Sequence, residues 1–282
     1  MHSKLGKVCK YIGIILLSSI GYLIKPQILI VFIAAFIVNL CYGLKKHNGK
    51  ELCLTFASAA ICLLCILSMG ECLNKIYEKI GFEINEEAAF GPTHFFMMGL
   101  NESRNGVWAQ EEVETSSSCE TAEERRNVNI QVSIQRIKDF GVVGYAKHLC
   151  RKLLCTYNDG TFAWGHEGGF FSTIYDEPNT RAASFLRSFC YPKAKYRPVF
   201  RIFAQTIWIL VLMLNFGASL LFKADQKNKY VSVIMLSLIG ITVFEALFEV
   251  RARYLFIYVP FYCMVAAMGV DAVWKKLNAA IK

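Results

Sequence analysis

The stretch FEALFEVRARY, residues 244–254, decides how this chain is read. Glu245, Glu249, Arg251 and Arg253 stand where one apolar run ends and the next begins. The 41 residues 230–270 would form a helix of roughly 60 Å, about twice the thickness of a bilayer core. They must therefore cross twice, with the turn near residues 249–253. Fixed charge at the mouth of a membrane helix is costly, and it faces protein, water or a polar ligand. This places a charged, ligand-ready corner on one side of a membrane.

Outward from that corner the chain shows six apolar segments, at residues 11–24, 27–44, 52–70, 199–222, 230–248 and 254–270. Basic residues gather in alternate connections: Lys4, Lys7 and Lys10; Lys45, Lys46 and Lys50; Lys223, Lys227 and Lys229; Lys275, Lys276 and Lys282. The positive-inside bias makes those connections cytoplasmic, with both termini inside. The long connection 71–198 carries 17 acids and 15 bases, and the rest of the chain 5 acids and 16 bases. The net charge of +9 is therefore a topology signal rather than the footprint of a nucleic-acid binder. The expected fold is an all-α polytopic membrane protein of the cell membrane. It has about six transmembrane helices and a large, mainly helical extracytoplasmic loop. By this reading residues 1–70 hold spans one to three, 71–198 the loop domain and 199–282 the last three spans.

A chain that is 55% hydrophobic and 13% aromatic agrees with this class. No small-residue cleavage site followed by polar sequence closes the first 44 residues, so a signal peptide is not expected. Lys25-Pro26 separates the first two segments, because proline ends or kinks a helix. A helical hairpin with Lys25 at the outer interface fits the charges. The alternative is one long kinked helix. Six of the eleven cysteines, Cys9, Cys41, Cys53, Cys62, Cys65 and Cys263, lie in or beside apolar segments, where cysteine serves as a small hydrophobe. The Cys62/Cys65 pair has metal or redox spacing but no second ligand pair beside it. Five more, Cys72, Cys119, Cys150, Cys155 and Cys190, belong to the loop, where an odd number allows at most two bridges.

The loop is too long to be a mere connection. A polar-apolar helix over 71–85 is followed by GPTHFFMMGLNESRNGVW, residues 91–108. Within it His94 is either a structural or a functional histidine, and Asn101-Glu102-Ser103 fits a glycosylation sequon. Thr121 and Glu124 form a capping-box pattern that starts a helix running to Phe140, with Ile130, Ile134 and Ile137 on one face. Beyond Gly141 and Gly144, the stripe of Tyr145, Leu149 and Leu153 beside Lys147, Arg151 and Lys152 reads as a helix lying in the interface or packed on the loop. Next comes TYNDGTFAWGHEGGFF, residues 156–171, with a turn signal at Asn158-Asp159-Gly160. Its aromatics, interleaved with Asp159, His166 and Glu167, suit a sugar-binding surface or an aromatic belt in the headgroups.

PTHFFMMGLN with Asn105-Gly106-Val107-Trp108, then YNDGTFAWGHEGGF, then FEVRARYLFIYVPFY together resemble the C-terminal half of a bacterial GT-C-type glycosyltransferase, similar to the protein O-mannosyltransferases. The stretch GYLIKP, residues 21–26, suits a mid-chain helix pair of that family. The resemblance implies transfer of a sugar from a polyprenyl-phosphate donor to a cell-surface glycan, lipid or protein, at the outer face and among membrane lipids. An arginine fork suits the donor phosphate, which points to Arg251 and Arg253 with Glu249 beside them, and Lys25 is a further candidate. On a continuous helix Glu245, Glu249 and Arg253 would share one face and Arg251 would point elsewhere. His94, Asp159, Trp164 and His166 complete the candidate substrate-binding set. The cofactor stays open: a divalent metal is compatible with the family, and no pattern in this chain requires one.

The chain departs from the family in one respect. The acidic motif of the first outer loop, which supplies the family's catalytic carboxylate, has no counterpart in Ile24-Lys25-Pro26-Gln27. The chain is also shorter than is usual, so a fragment that transfers no sugar by itself is expected. Glu249, Asp159 and Glu167 are the substitute carboxylates, and Glu167 between His166 and two glycines is the least constrained. The competing class is a non-catalytic membrane scaffold or flippase partner that binds surface glycan or lipid-linked sugar.

Overall fold

The computed structural model describes residues 4–83, 85, 88–163, 180–191, 193–222 and 228–281. Contacts divide the chain into two compact units, Met1–Ala89 with Lys223–Ile241 and Phe90–Phe222 with Thr242–Lys282. The described residues form α-helices and short 3-10 turns, with no strand among them. Five stretches are long and apolar enough to cross a membrane: Pro26–Lys45, Gly49–Lys79, Arg197–Leu221, Lys229–Leu247 and Ala252–Asp271. Tyr11–Ile24 is a shorter apolar helix. The six expected segments are thus all helical.

The first unit is built on α1 (Lys4–Ile24), α2 (Leu29–Lys45) and α3 (Gly49–Lys79). Lys25 adopts an extended backbone with φ −153°, and Pro26 opens a 3-10 turn to Ile28. A Cβ on Gly21 would stand 2.7 Å from Ile28 Cγ2. Seven residues of continuous helix would separate these positions by about 10 Å, so the chain reverses at Lys25-Pro26. The hairpin, not the long kinked helix, is what forms. Asn48 caps α3 by accepting from the Glu51 N–H at 3.3 Å. The helix then runs unbroken, so the span 52–70 and the polar helix expected after it are one element.

Side-chain pairings give the helix directions. Gly43 meets Leu52 and Phe36 meets Phe56, so α2 and α3 are antiparallel. Ser19 lies against Cys62, while Tyr11 and Ile12 share a groove with Leu54, so α1 and α3 are parallel. Helix α9 (Lys229–Leu247) places Gly240 against Ile30 and the Lys229 ammonium over the Tyr42 ring at 5.7 Å, antiparallel to α2. The first turns of α1, the α2–α3 turn with Lys45, Lys46 and Lys50, and the start of α9 therefore share one end of this unit. Lys45, Lys46, Lys50 and Lys229 are thereby gathered at one end of this unit.

The second unit contains α4 (Pro92–Gly99), α5 (Gln110–Ser117), α6 (Ala122–Tyr157), α7 (Arg181–Cys190), α8 (Arg197–Leu221), the last turns of α9 and α10 (Val259–Ile281). The Trp208 ring packs edge-on to Tyr262 at 5.0 Å, and Gly269 approaches the Leu214 backbone. Those spacings make α8 and α10 parallel. Asn215 Nδ2 also donates to Tyr262 O at 2.8 Å, locking the pair by one of its few polar contacts.

Helix α6 begins as its capping pattern predicts. Thr121 Oγ1 accepts from the Glu124 N–H at 3.1 Å, and Glu124 Oε2 accepts from the Glu120 N–H at 2.9 Å. It bends at Gly141, whose φ of +56° only glycine adopts without strain. The face it buries is polar: Arg125, Asn129 and Ser133, then His148, Lys152 and Thr156. Ile130, Ile134 and Ile137 do share a face, but that face is exposed, while Tyr145, Leu149 and Leu153 are half-buried.

Candidate functional site

The chain folds back where the charged corner was expected. Helix α9 ends at Leu247, and a 3-10 helix over Ala252–Tyr258 leads into α10. Tyr157 Oη lies 2.6 Å from Thr242 Oγ1 and 2.8 Å from Tyr262 Oη. A continuous helix would hold Thr242 and Tyr262 about 30 Å apart. The expected alignment of Glu245, Glu249 and Arg253 is lost with the helix, and Arg251 takes a central place instead. Its backbone N–H donates to Glu245 Oε2 at 3.0 Å, and its Nε donates to Glu249 Oε1 at 2.9 Å. Tyr254 Oη donates to Glu249 Oε2 at 3.3 Å. Glu245 and Glu249 are buried, Arg251 is half-buried, and Arg253 is exposed with its guanidinium 5.5 Å above the Tyr254 ring.

A clamp from the loop holds this corner. Lys152, with no exposed surface, donates from Nζ to the carbonyls of Ala246 and Phe248, each at 2.8 Å. A cation there answers the unpaired carbonyls and the negative end of the helix dipole. Burial pulls the Lys152 ammonium down to about 8, and attraction to Glu245 works against that fall. Val250 N–H donates to Gly106 O at 2.8 Å. Gly99 lies so close that a Cβ there would stand 2.5 Å from Phe248 O, so α4 meets the corner backbone to backbone. The 91–108 motif is thereby explained as the docking surface of the 248–250 turn.

Behind the clamp lies a second polar cluster. Glu112 accepts from Arg136 at 2.7 and 3.1 Å, and Asn101 Nδ2 donates to it at 2.5 Å. Arg136 Nη1 reaches Met97 O as well, at 2.8 Å. The Asn101 amide is thus buried and engaged, which removes it as a glycosylation acceptor. A polar cleft of about 330 Å3 opens here, bordered by Glu102, Ser103, Glu111, Arg136 and Asp139.

His94 belongs to the core. Its Nδ1 lies 2.7 Å from Ser116 Oγ, which donates to Asn129 Oδ1 at 3.0 Å, and Phe90 stacks on its ring at 4.2 Å. Burial lowers its pKa, with Glu112 opposing and Arg125 assisting, so the imidazole is held neutral. Asp159 closes its own turn: Oδ1 accepts from the Thr161 N–H at 2.9 Å and hydroxyl at 2.6 Å, and Oδ2 from the Ala163 N–H at 2.7 Å. The Phe162 ring packs on Trp208 at 5.0 Å and Phe256 at 5.9 Å, and Tyr157 stacks on Trp208. These two aromatics of the YNDGTF stretch build the core of the second unit. Lys25 sits half-buried at the α1–α2 turn of the first unit. Trp164, His166 and Glu167 lie outside the described residues. Among the described residues ten cysteines carry free thiols, including Cys62, which packs on Ser19.

Sequence reading missed Lys152 as the clamp and the buried Glu112–Arg136 pair. The signal for Lys152 was its place at i+4 from His148 and i−4 from Thr156, a series of polar residues with helical spacing. Apolar spans, hairpin turns and a charged corner together define a polytopic integral membrane protein. The chain belongs to a family described as conserved hypothetical integral membrane proteins, whose model matches residues 2–274. No curated protein and no solved structure matches it.

Proposed function

We propose that this chain binds a polyprenyl-phosphate-linked sugar at the outer mouth of its membrane helices. In that role it serves as the donor-handling, C-terminal part of a GT-C-type glycosyltransferase acting on a cell-surface glycan, lipid or protein. The observation that supports this reading is the corner itself. Exposed Arg253 projects beside the Arg251–Glu249 pair, on a turn that Lys152 and Gly106 hold rigid. A guanidinium at a helix mouth suits a phosphate whose isoprenoid tail lies in lipid. By the positive-inside bias the basic end of the first unit is cytoplasmic, and both termini with it.

A second reading, a scaffold or flippase partner without turnover, draws support from the described carboxylates near the corner. Glu245 and Glu249 are engaged by Arg251, Asp159 by its turn and Glu112 by Arg136. A carboxylate held by a cation is a weak base for an acceptor hydroxyl. Binding of labelled polyprenyl phosphate to the purified protein in nanodiscs tests the shared claim. Arg253→Ala is expected to weaken binding roughly tenfold, the worth of one charged hydrogen bond, and Arg253→Lys to restore it incompletely. Equal affinity of wild type and Arg253→Ala, with unchanged thermal unfolding, contradicts it. Incubation with labelled polyprenyl-phosphate sugar and a cell-wall acceptor extract separates the two readings. Turnover that appears only when the N-terminal half of a GT-C-type enzyme is supplied favours the transferase reading. Turnover by this chain alone that is lost in Glu167→Gln would make Glu167 the base, and binding without turnover in either case favours the scaffold.

A further inference from the structure

We infer that α7 and the basic segment after it form an in-plane docking surface for anionic phospholipid headgroups, apart from the charged corner. Around α7, Ala182, Phe185, Leu186 and Phe189 fall on one face, and Arg181, Ser184, Arg187 and Ser188 on the other. Phe185 and Leu186 are 62% and 61% exposed, a large apolar pair for a surface facing only water. The helix is fixed where α8 enters the membrane. Tyr196 N–H donates to Ser188 O at 2.9 Å, and the Phe189 and Tyr196 rings stack at 5.1 Å. The first turns of α8 also expose apolar side chains, Val199, Ile202 and Phe203.

Charge names the occupant. Residues 180–201 hold six bases and no acid; Arg197 is buried over the Phe200 ring at 5.3 Å, which leaves Arg181, Arg187, Lys193, Lys195 and Arg201 for the headgroups. A short helix with an aromatic-aliphatic face and a basic back, joined to a span, is built to lie at the headgroup boundary. Its rings enter the acyl region while the cations reach phosphates. Each base near an anionic surface strengthens attachment severalfold at ordinary ionic strength.

The test uses the full chain, cysteine-depleted, in nanodiscs of phosphatidylcholine with and without phosphatidylglycerol. A nitroxide at Leu186→Cys is expected to be reached by oxygen more than by a water-soluble nickel chelate, and one at Ser184→Cys to show the reverse. Equal access of the chelate to both positions would overturn the docking. Shielding of Leu186→Cys from both agents would also overturn it, because a protein surface or second copy would then be the occupant. For the headgroups, Arg181, Arg187, Lys193 and Lys195 are replaced together by Gln. The preference of spin-labelled phosphatidylglycerol over phosphatidylcholine for the protein annulus should fall severalfold. An unchanged preference would sink the anionic part of the inference.

Discussion

Lys152→Met is expected to lower the unfolding free energy by about 3–5 kcal/mol, the cost of removing one partner from a buried charged cluster. The apolar replacement fills the same space, so the loss reports the amine. Without it the carbonyls of Ala246 and Phe248 lose their donor, and Glu245, which has no exposed surface, loses a neighbouring cation. Thermal or denaturant unfolding in detergent measures the change. Adding Glu245→Gln should recover part of it, since the two groups interact and their effects will not add. The pH dependence has a definite sign. The folded-state pKa of Lys152 is depressed to about 8, whereas an unfolded lysine titrates near ~10.4. Between those values the unfolded chain holds more protons, so stability from this group rises with pH across the window. That rise should be absent in Lys152→Met. A loss under ~1 kcal/mol, the ordinary worth of one neutral hydrogen bond, would contradict the clamp.

Glu112→Gln is expected to cost about 3 kcal/mol, the lower end of the same range, because the Arg136 side chain is 27% exposed and water relieves part of its lost pairing. Glu112 itself is 2% exposed and accepts from two side chains, so its charge organises the junction of α4, α5 and α6. Arg136→Lys should not restore stability, since an ammonium cannot reproduce two parallel bonds to Glu112 and a third to Met97 O. Unfolding midpoints of the two variants check this. Wild-type stability in Arg136→Lys would show that only charge, not fork geometry, matters there.

The membrane spans and their reversals were legible because hydropathy and helix length are local properties. The turn at 248–251, the break at Lys25-Pro26, the Thr121 cap and the Asp159 turn all follow from residues within a few positions of each other. The inner face of α6 was not legible in that way. Apolar periodicity puts Ile130, Ile134 and Ile137 on one face, but that face is exposed and Arg125, Asn129 and Ser133 are the residues buried. Burying polar groups requires partners, and along α6 these grow remote: Arg125 and Asn129 meet Ser116 only 9 and 13 positions away. Arg136 meets Glu112 across 24 positions, and Lys152 meets Phe248 across 96. The spacing shows a polar stripe but cannot show what lies opposite it. Arg251 illustrates the same limit at short range, because its pairing with Glu249 depends on where α9 stops.

The proposed site requires the loop and the corner to lie outside the membrane. Cysteine-depleted protein carrying Ser118→Cys or Lys46→Cys can be labelled in intact cells with a membrane-impermeant maleimide. Both positions are exposed in the fold, so access depends on the membrane alone. Labelling is expected at position 118 before permeabilisation and at position 46 only after it. Labelling at position 118 only after the membrane is opened would place loop and corner in the cytoplasm and contradict the proposed outer site.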